Sequence, residues 1–523
     1  MSQEPPTHFN FARDVIERWA HERPDALALW WVDESGGQEQ KISFKQLADD
    51  LRRAATFFHT VGIHRGDRVL IMLPRLPQWW IAMLGLVRLG AVPIPGTPLL
   101  TEKDIRYRIE AAEARAAITD ADGAAKMQGL TVGIRILVGA ERPGWASFDT
   151  GVRDASTEFD PEPTRSDEPG IIYFTSGTTG QPKMVWHTQA SYGLGHRLTG
   201  ELWLDLKPSD VHWNLSDTGW AKAAWSNFFG PWHMGACVFV IDARGRFDPA
   251  AALRTLAHYP ITTCCAPPTA LRLMVRESLF AFRFPHLRHF VSAGEPLNPE
   301  VIATWKAATG LTIYEGYGQT ETVVLIGNFR SLGHDIRPGS MGKPTPGFEV
   351  AVLDPDLKEL PPGKEGELAV RVKPRRPLGL FREYWRNPTE NAARFRGDWY
   401  LTGDMAICDE QGYYWFVGRA DDVIKSAGYR IGPFEVESAL IEHPAVVEAA
   451  VVGKPDEVRG SIVKAFVVLR KDYPPGEALK VELQKHCKRV TAPYKYPREI
   501  EFVAELPKTV SGKIRRVQLR QGA

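Results

Sequence analysis

Short apolar runs alternate with helix-like patterns through the first two-thirds of this chain, and that alternation restricts the fold more than any other feature. Arg68–Leu73 reads as a strand, Trp79–Leu89 as a helix and Gly90–Ile94 as the next strand. Strands bridged by a helix run parallel, and helices so placed cover both faces of the sheet. The rhythm recurs around Val238–Ile241 and His289–Ser292. From about Arg337 it gives way to β-rich structure: Glu349–Leu353, Glu367–Val372, and a hairpin over Tyr400–Gly418 turning at Asp409-Glu410-Gln411-Gly412. Beyond Gly418–Asp422 the order changes again, to a helix over Phe434–Ile441, strands at Val446–Val452 and Lys464–Leu469, and a helix over Leu479–Val490. That suffices for a small domain. At 523 residues the chain exceeds what one core organises. The expectation is an α/β protein. Residues 1–419 would form a large domain of βαβ sheets covered by helices, with a β-rich subdomain. Residues 420–523 would form a small α+β domain.

Charge and cysteine usage narrow the class. The chain carries 64 Lys and Arg against 63 Asp and Glu, so no global field draws it to nucleic acid or an anionic membrane. Cys237, Cys264, Cys265, Cys408 and Cys487 form no C-x-x-C pair and no metal-ligand spacing. Cys264 and Cys265 fall in the strand-like run Ile261–Ala266 and read as core thiols in a reducing compartment. Met1–Ala20 has neither the apolar run of a signal peptide nor the Arg- and Ser-rich, acid-poor look of a transit sequence. No window reaches the roughly 18 apolar residues of a membrane span. These features set the expectation of a cytosolic protein without an integral membrane segment.

The chemistry concentrates in Tyr173-Phe174-Thr175-Ser176-Gly177-Thr178-Thr179-Gly180-Gln181-Pro182-Lys183, where an apolar strand runs into a loop of hydroxyls and glycines closed by a lysine. By composition this is either a solvated turn or a loop that folds N–H groups, hydroxyls and an ammonium around phosphate oxygens. Its spacing is not that of a Walker loop. Five further segments follow in order: Ser292-Ala293-Gly294-Glu295-Pro296, Glu315-Gly316-Tyr317-Gly318-Gln319-Thr320-Glu321-Thr322, Tyr400-Leu401-Thr402-Gly403-Asp404, Gly418-Arg419-Ala420-Asp421-Asp422 and Pro507-Lys508-Thr509-Val510-Ser511-Gly512-Lys513. Each alone reads equally well as a turn, a polar loop or a charged surface segment.

Together, in this order, the six segments resemble the signature motifs of the adenylate-forming superfamily, which comprises acyl-CoA synthetases, adenylation domains of peptide synthetases and luciferases. The resemblance implies that Thr175–Lys183 hold the ATP phosphates and that Gly294, Glu295 and Pro296 border the adenine. Within Glu315-Gly316-Tyr317-Gly318-Gln319, Tyr317 would stack on that base. Thr320 would lie near the α-phosphate, and Glu321 would hold Mg²⁺, a hard cation content with one or two protein carboxylates. Asp404 would bond both ribose hydroxyls, Arg419 the ribose and phosphate. Asp421 would be the hinge of a mobile C-terminal domain, and Lys513 the catalytic lysine of adenylation.

Local strings point to one branch. Leu215-Ser216-Asp217-Thr218-Gly219-Trp220, Gly428-Tyr429-Arg430-Ile431-Gly432-Pro433 and Thr491-Ala492-Pro493-Tyr494-Lys495-Tyr496-Pro497-Arg498 look closest to medium-chain acyl-CoA synthetases. The resemblance implies an acyl pocket lined by Trp220 and deepened by Gly318, where relatives that activate acetate carry a Trp. It implies coenzyme A contacts at Ala427, Gly428, Tyr429, Arg430, Arg459, Lys488, Tyr496, Pro497 and Arg498. Leu99, close after Pro95-Gly96-Thr97, is a departure, since it cannot donate the side-chain hydrogen bond some relatives place there. The implied reaction consumes a medium-chain, branched or aromatic acid, ATP and coenzyme A. Two rivals are an adenylating enzyme that loads a carrier protein and a nucleotide-binding regulatory protein without catalysis. Which acid is preferred, and in what oligomeric state, is not written in these motifs.

Overall fold

A computed structural model of the chain describes residues 4–175, 181–427, 429–508 and 514–521. The parallel character expected of the N-terminal part is present, distributed over two sheets. One has five strands, all parallel, with Arg68–Met72 between Val92–Pro95 and Ala116–Thr119. The other has nine strands. Its six central members, from Ile313–Tyr317 through His289–Ala293, Thr263–Ala266, Val211–Asn214 and Cys237–Asp242 to Leu27–Asp33, are parallel, and short antiparallel strands close both edges. The units around 68–95 and 238–293 therefore belong to different sheets, which periodicity alone does not resolve.

Local chemistry accounts for the helices that cover these sheets. Phe44–Thr60 opens on a capping box: Ser43 Oγ accepts from Gln46 N–H at 3.2 Å and Gln46 Oε1 accepts from Ser43 N–H at 2.9 Å. Phe44, Leu47, Ala48, Leu51, Ala54, Ala55 and Phe58 then fall on one buried face. Pro77–Leu89 is buried almost all round and stops at Gly90, which takes φ 79°. The two helices pack so closely that a Cβ on Gly85 would lie 2.6 Å from Ala54 Cβ. Trp79, Trp80, Trp203 and Trp232 are fully buried in the same core. Trp80 donates to Asn227 O at 2.8 Å and Trp232 to Ala28 O at 2.9 Å, so these indole N–H groups are not stranded.

The β-rich part has the expected hairpin, Trp399–Cys408 against Tyr414–Arg419, inside a five-stranded antiparallel sheet with Val350–Leu353 and Glu365–Arg371. After it, Val446–Asp456, Gly460–Leu469 and Glu499–Phe502 form a three-stranded sheet packed by helices Pro433–Ile441 and Glu477–Val490. Val436, Leu440, Val451, Val467, Leu483, Cys487 and Ile500 make its own hydrophobic cluster. Cys264 and Cys265 are fully buried, as a strand interior requires.

Candidate active site

The carboxyl ends of parallel strands in an α/β sheet border a crevice that suits ligands. Strands His289–Ala293 and Ile313–Tyr317 end there, and the segments 294–296 and 318–322 continue from them. Gly294 sits at φ 107°, and a Cβ on it would lie 2.7 Å from Lys222 Nζ. Glu295 is paired with Arg272 at 3.0 Å. Glu315 is buried and accepts from Leu297 N–H at 3.0 Å. Burial, only partly offset by N–H groups of Leu297 and Gly339, lifts its carboxyl to about 7. A Cβ on Gly316 would lie 2.6 Å from the Trp203 ring, so the strand end itself lies against the core.

The hairpin of the β-rich sheet brings a second set of groups to this end. Tyr317 Oη donates to Asp404 Oδ2 at 2.5 Å and Gln319 Nε2 donates to the same oxygen at 2.7 Å. Gln319 also donates to Thr402 O at 2.9 Å and accepts from Tyr400 Oη at 2.9 Å. Arg419, directly opposite Asp404 in the antiparallel pair, lies 3.3 Å from Asp404 Oδ1 and 3.9 Å from Asp421. Burial works against the Arg419 charge, but Asp404 and Asp421 outweigh it and raise its pKa. Among the described residues Asp404 Oδ1 is buried with no hydrogen-bond partner. A buried carboxylate oxygen beside a guanidinium, with acceptor capacity left over, suits a hydroxyl donor.

Thr320 and Glu321 sit on the turn after Gln319. Glu321 Oε1 accepts from Tyr384 Oη at 2.7 Å, and Glu321 O accepts from Phe381 N–H at 2.8 Å. Among the described residues no group of three or more His, Cys, Asp and Glu side chains is placed to hold a metal ion. A lone carboxylate matches a cation held mainly by phosphate oxygens, so the donor set fits Mg²⁺.

The strands on either side of the phosphate-loop candidate pair as a hairpin. Pro169–Thr175 pairs antiparallel with Lys183–Thr188, and Glu383–Tyr384 adds a third strand. The described residues after the loop continue as strand Lys183–Thr188 and not as a helix N-terminus. Ser176, Gly177, Thr178, Thr179 and Gly180 lie outside the described residues. Thr175 Oγ1 faces Lys183 O at 3.5 Å, and Gln181 and Pro182 complete the described rim. Lys183 pairs with Glu390, which also holds Arg394 at 3.0 Å. Burial pushes the Glu390 carboxyl up, but these two cations outweigh it and hold it below the usual range.

Toward the acyl side, Gly219 is pressed on the Gly96–Thr97 loop, where a Cβ would lie 2.1 Å from Thr97 N. Trp220, half-buried, precedes helix Ala221–Ala224. A Cβ on Gly318 would lie 2.4 Å from Trp225 Cη2 and 2.5 Å from Val323 O. Trp225, which the motifs did not single out, thus lies against Gly318. Leu99 is 64% exposed.

In the C-terminal part, Lys488 Nζ lies 3.9 Å from the centroid of the Tyr496 ring and Arg498 Cζ 5.0 Å from it, with Pro497 buried beneath. Ala427, at φ 49°, donates to Arg459 O at 2.9 Å. Tyr429 is 51% exposed and stacks on Tyr494, and Arg430 pairs with Glu365 at 2.8 Å. Gly428 and Lys513 lie outside the described residues. Arg516, just after Lys513, binds both oxygens of Glu437 at 2.8 Å and faces Asp422 at 3.7 Å; its charge is further stabilised by Glu295. Arg516 thus ties the start of the tail helix to Glu437 and Asp422, while Tyr429 is half exposed.

The residues that motif reading missed are His187, Tyr192, Trp225, Tyr384 and Glu390. They sit in ordinary-looking strand and helix sequence, and only their tertiary positions bring them to the site.

Comparison with known proteins identifies the family. Residues 16–385 match the family described as AMP-binding enzyme, and residues 435–513 match the AMP-binding enzyme C-terminal domain. Acyl-coenzyme A synthetase ACSM3, mitochondrial, of Mus musculus is 50% identical over 99% of this chain and 91% of its own length. Acyl-coenzyme A synthetase ACSM4, mitochondrial, of Homo sapiens is 51% identical over 98% and 90%. The anthranilate CoA ligase AuaEII, solved in complex with anthranoyl-AMP, superposes with a TM-score of 0.91 at 31% identity, covering 99% of this chain and 98% of its own.

These relatives correct the expectation of a cytosolic protein: they are mitochondrial enzymes, which points to the mitochondrion rather than the cytoplasm. An organelle address is read by a receptor from a short segment, so neither the charge balance nor the cysteine usage of the folded enzyme carries it. The membrane reading is separate: among the described residues no helix is long and apolar enough to cross a membrane. With half of its residues shared along almost its whole length, the chain belongs to the AMP-binding enzyme family, as an acyl-coenzyme A synthetase close to the medium-chain enzymes.

Proposed function

We propose that the crevice activates a medium-chain, branched or aromatic carboxylic acid with ATP and passes the acyl group to coenzyme A. The acid carboxylate attacks the α-phosphorus, the bond to pyrophosphate breaks, and an acyl-adenylate remains. The coenzyme A sulfur then attacks the acyl carbon and AMP leaves, a far better leaving group than the oxide of a free acid. Asp404 receives the ribose hydroxyls and Arg419 the adjoining oxygens. Tyr317 and the 294–296 segment enclose the base. Lys183 and the loop before it hold phosphate, Thr320 faces the α-phosphate, and Lys513 offsets the charge that builds as two anions meet. Glu321 would hold Mg²⁺, which when bound neutralises phosphate charge.

We place the domain boundary at 419/420 and the hinge at Asp421, because one site that runs two reactions must be reshaped between them. Lys488, Arg498, Arg459 and the 427–430 segment would then receive coenzyme A. The observation that carries this reading is Asp404: a buried carboxylate whose Oδ1 faces Arg419 at 3.3 Å but accepts no hydrogen bond among the described residues, while Oδ2 is held by Tyr317. Pyrophosphate release over a panel of acids, with acyl-CoA detection when coenzyme A is added, tests it. Pyrophosphate release from no acid, or acyl-adenylate that coenzyme A does not consume, would overturn it.

A further inference from the structure

Two buried donors converge on one backbone oxygen beside the proposed chemistry. His187 Nε2 lies 2.8 Å from Thr320 O, and Tyr192 Oη donates to the same oxygen at 2.6 Å. The two rings are stacked and both are fully buried; His187 comes from Lys183–Thr188, the second strand of the phosphate-loop hairpin, and Tyr192 from helix Gln189–Gly193 just after it. A carbonyl oxygen only accepts, so Nε2 carries the proton. Nδ1 is left to face Ser191 Oγ at 3.2 Å. Burial holds the imidazole near a pKa of about 3, so this tautomer is kept through the working pH range. The Tyr192 phenol, also raised by burial, keeps its proton.

The carbonyl of Thr320 shares a rigid plane with the amide N–H of Glu321. Two donors on that oxygen therefore set the orientation of the whole peptide unit, and with it the directions in which Thr320 and Glu321 project. Phe381 N–H on Glu321 O fixes the following unit, and Tyr384 holds the carboxylate. The Tyr192 phenol also accepts from Trp225 Nε1 at 3.4 Å, and Trp225 is the ring against Gly318. Both donors are spent on this one backbone oxygen. We propose that His187 and Tyr192 are positioning residues for adenylation: they clamp the Thr320–Glu321 peptide so that hydroxyl and carboxylate meet the triphosphate pre-aligned. This rests on the roles assigned above to Thr320 and Glu321.

The experiment compares Tyr192→Phe, His187→Leu and His187→Gln in the full-length enzyme, with Thr320→Ala and Glu321→Gln as references. Two half-reactions are measured separately: acid-dependent ATP–pyrophosphate exchange, and thioester formation from pre-made acyl-adenylate. Equilibrium ATP binding and melting temperature are read beside them. A clamp that acts through pre-alignment predicts a loss of about tenfold or more in the exchange rate for Tyr192→Phe and for His187→Leu. Thioester formation and ATP affinity should change far less. His187→Gln, which keeps an N–H donor near the Nε2 position, should recover part of the loss.

Normal exchange in folded Tyr192→Phe and His187→Leu enzymes overturns the proposal. So does an equal fall in both half-reactions, or a Gln variant no better than Leu, since both mark a merely structural role. If Thr320→Ala and Glu321→Gln themselves exchange normally, the underlying assignment of those two residues fails. If they fail while the clamp variants are normal, only the clamp is wrong.

Discussion

Asp404 shows how much one side chain can carry. Its Oδ2 is occupied by Tyr317 and Gln319, so the remaining oxygen is where a ligand donor gains most. Asp404→Asn should weaken ATP binding by about 10- to 100-fold, the range expected for hydrogen bonds to a charged acceptor. Titration calorimetry with ATP measures this, and unchanged affinity would remove Asp404 from the ribose site. Gly318 argues differently. Its missing Cβ makes room for Trp225 and the Val323 carbonyl, so an indole introduced there has to displace a ring already in place. Gly318→Trp should therefore lower the melting temperature through overpacking, a cost of about 1–3 kcal/mol, while shifting preference toward acetate and propionate. Adding Trp225→Ala should restore stability. The kcat/KM ranking of acetate, butyrate and hexanoate in these variants decides the point, and a ranking unmoved by either substitution would place the acyl chain elsewhere. Gly318 was legible as a site residue from its motif, but Trp225 was not.

Among the elements, strand Ile313–Tyr317 couples stability to pH. Glu315, within it, titrates near 7 because burial disfavours its charge, against an ordinary value of 4.5. The folded protein thus keeps a proton that the unfolded chain has released. Stability from this group is full below about pH 4.5 and lost as pH rises through about 7. Glu315→Gln should flatten denaturant-derived stability across that window by on the order of 3 kcal/mol; an unaltered slope would show that Glu315 is not the titrating group. Helix boundaries were the most legible elements. Pro77–Leu89 and Glu477–Val490 lie close to where spacing placed them, since apolar spacing and flanking residues act within a few turns. The hairpin that carries the loop before Lys183 was less legible. Its first strand reads from the sequence, but the pairing of its second strand, Lys183–Thr188, with Glu383–Tyr384 is a long-range matter.

At the scale of the molecule, the C-terminal part has its own core, and contacts between described residues join it to the larger part. Asn298 Nδ2 donates to Ser438 Oγ at 2.9 Å, Arg276 donates to Val447 O, and Arg430 pairs with Glu365. Asp422 ties Arg516 and Arg520 of the tail helix to the turn that holds Asp421. Asp421→Pro should leave pyrophosphate exchange nearly intact and abolish most thioester formation, because a fixed φ removes a soft dihedral at the hinge. Lys513→Ala should do the reverse, with exchange falling by about 10²–10³-fold and thioester formation from pre-made acyl-adenylate spared. Separate assays of the two half-reactions check both, and parallel losses in either variant would place the hinge or the lysine in another role.

By itself the sequence determined the class of fold, the order of strands and helices, and the six segments that mark the family. Those follow from periodicity, turn chemistry and short motifs, all properties of neighbours along the chain. Only the tertiary structure decided that the parallel strands divide between two sheets, and that His187 and Tyr192 share the Thr320 carbonyl. It also decided that Tyr384 holds Glu321, that Glu390 takes Lys183 and that Trp225 lies against Gly318. These are contacts between residues far apart in sequence, made by groups that could equally well face solvent or core. Their partners are chosen by how the sheets stack and the hairpins close, and no local pattern encodes that choice.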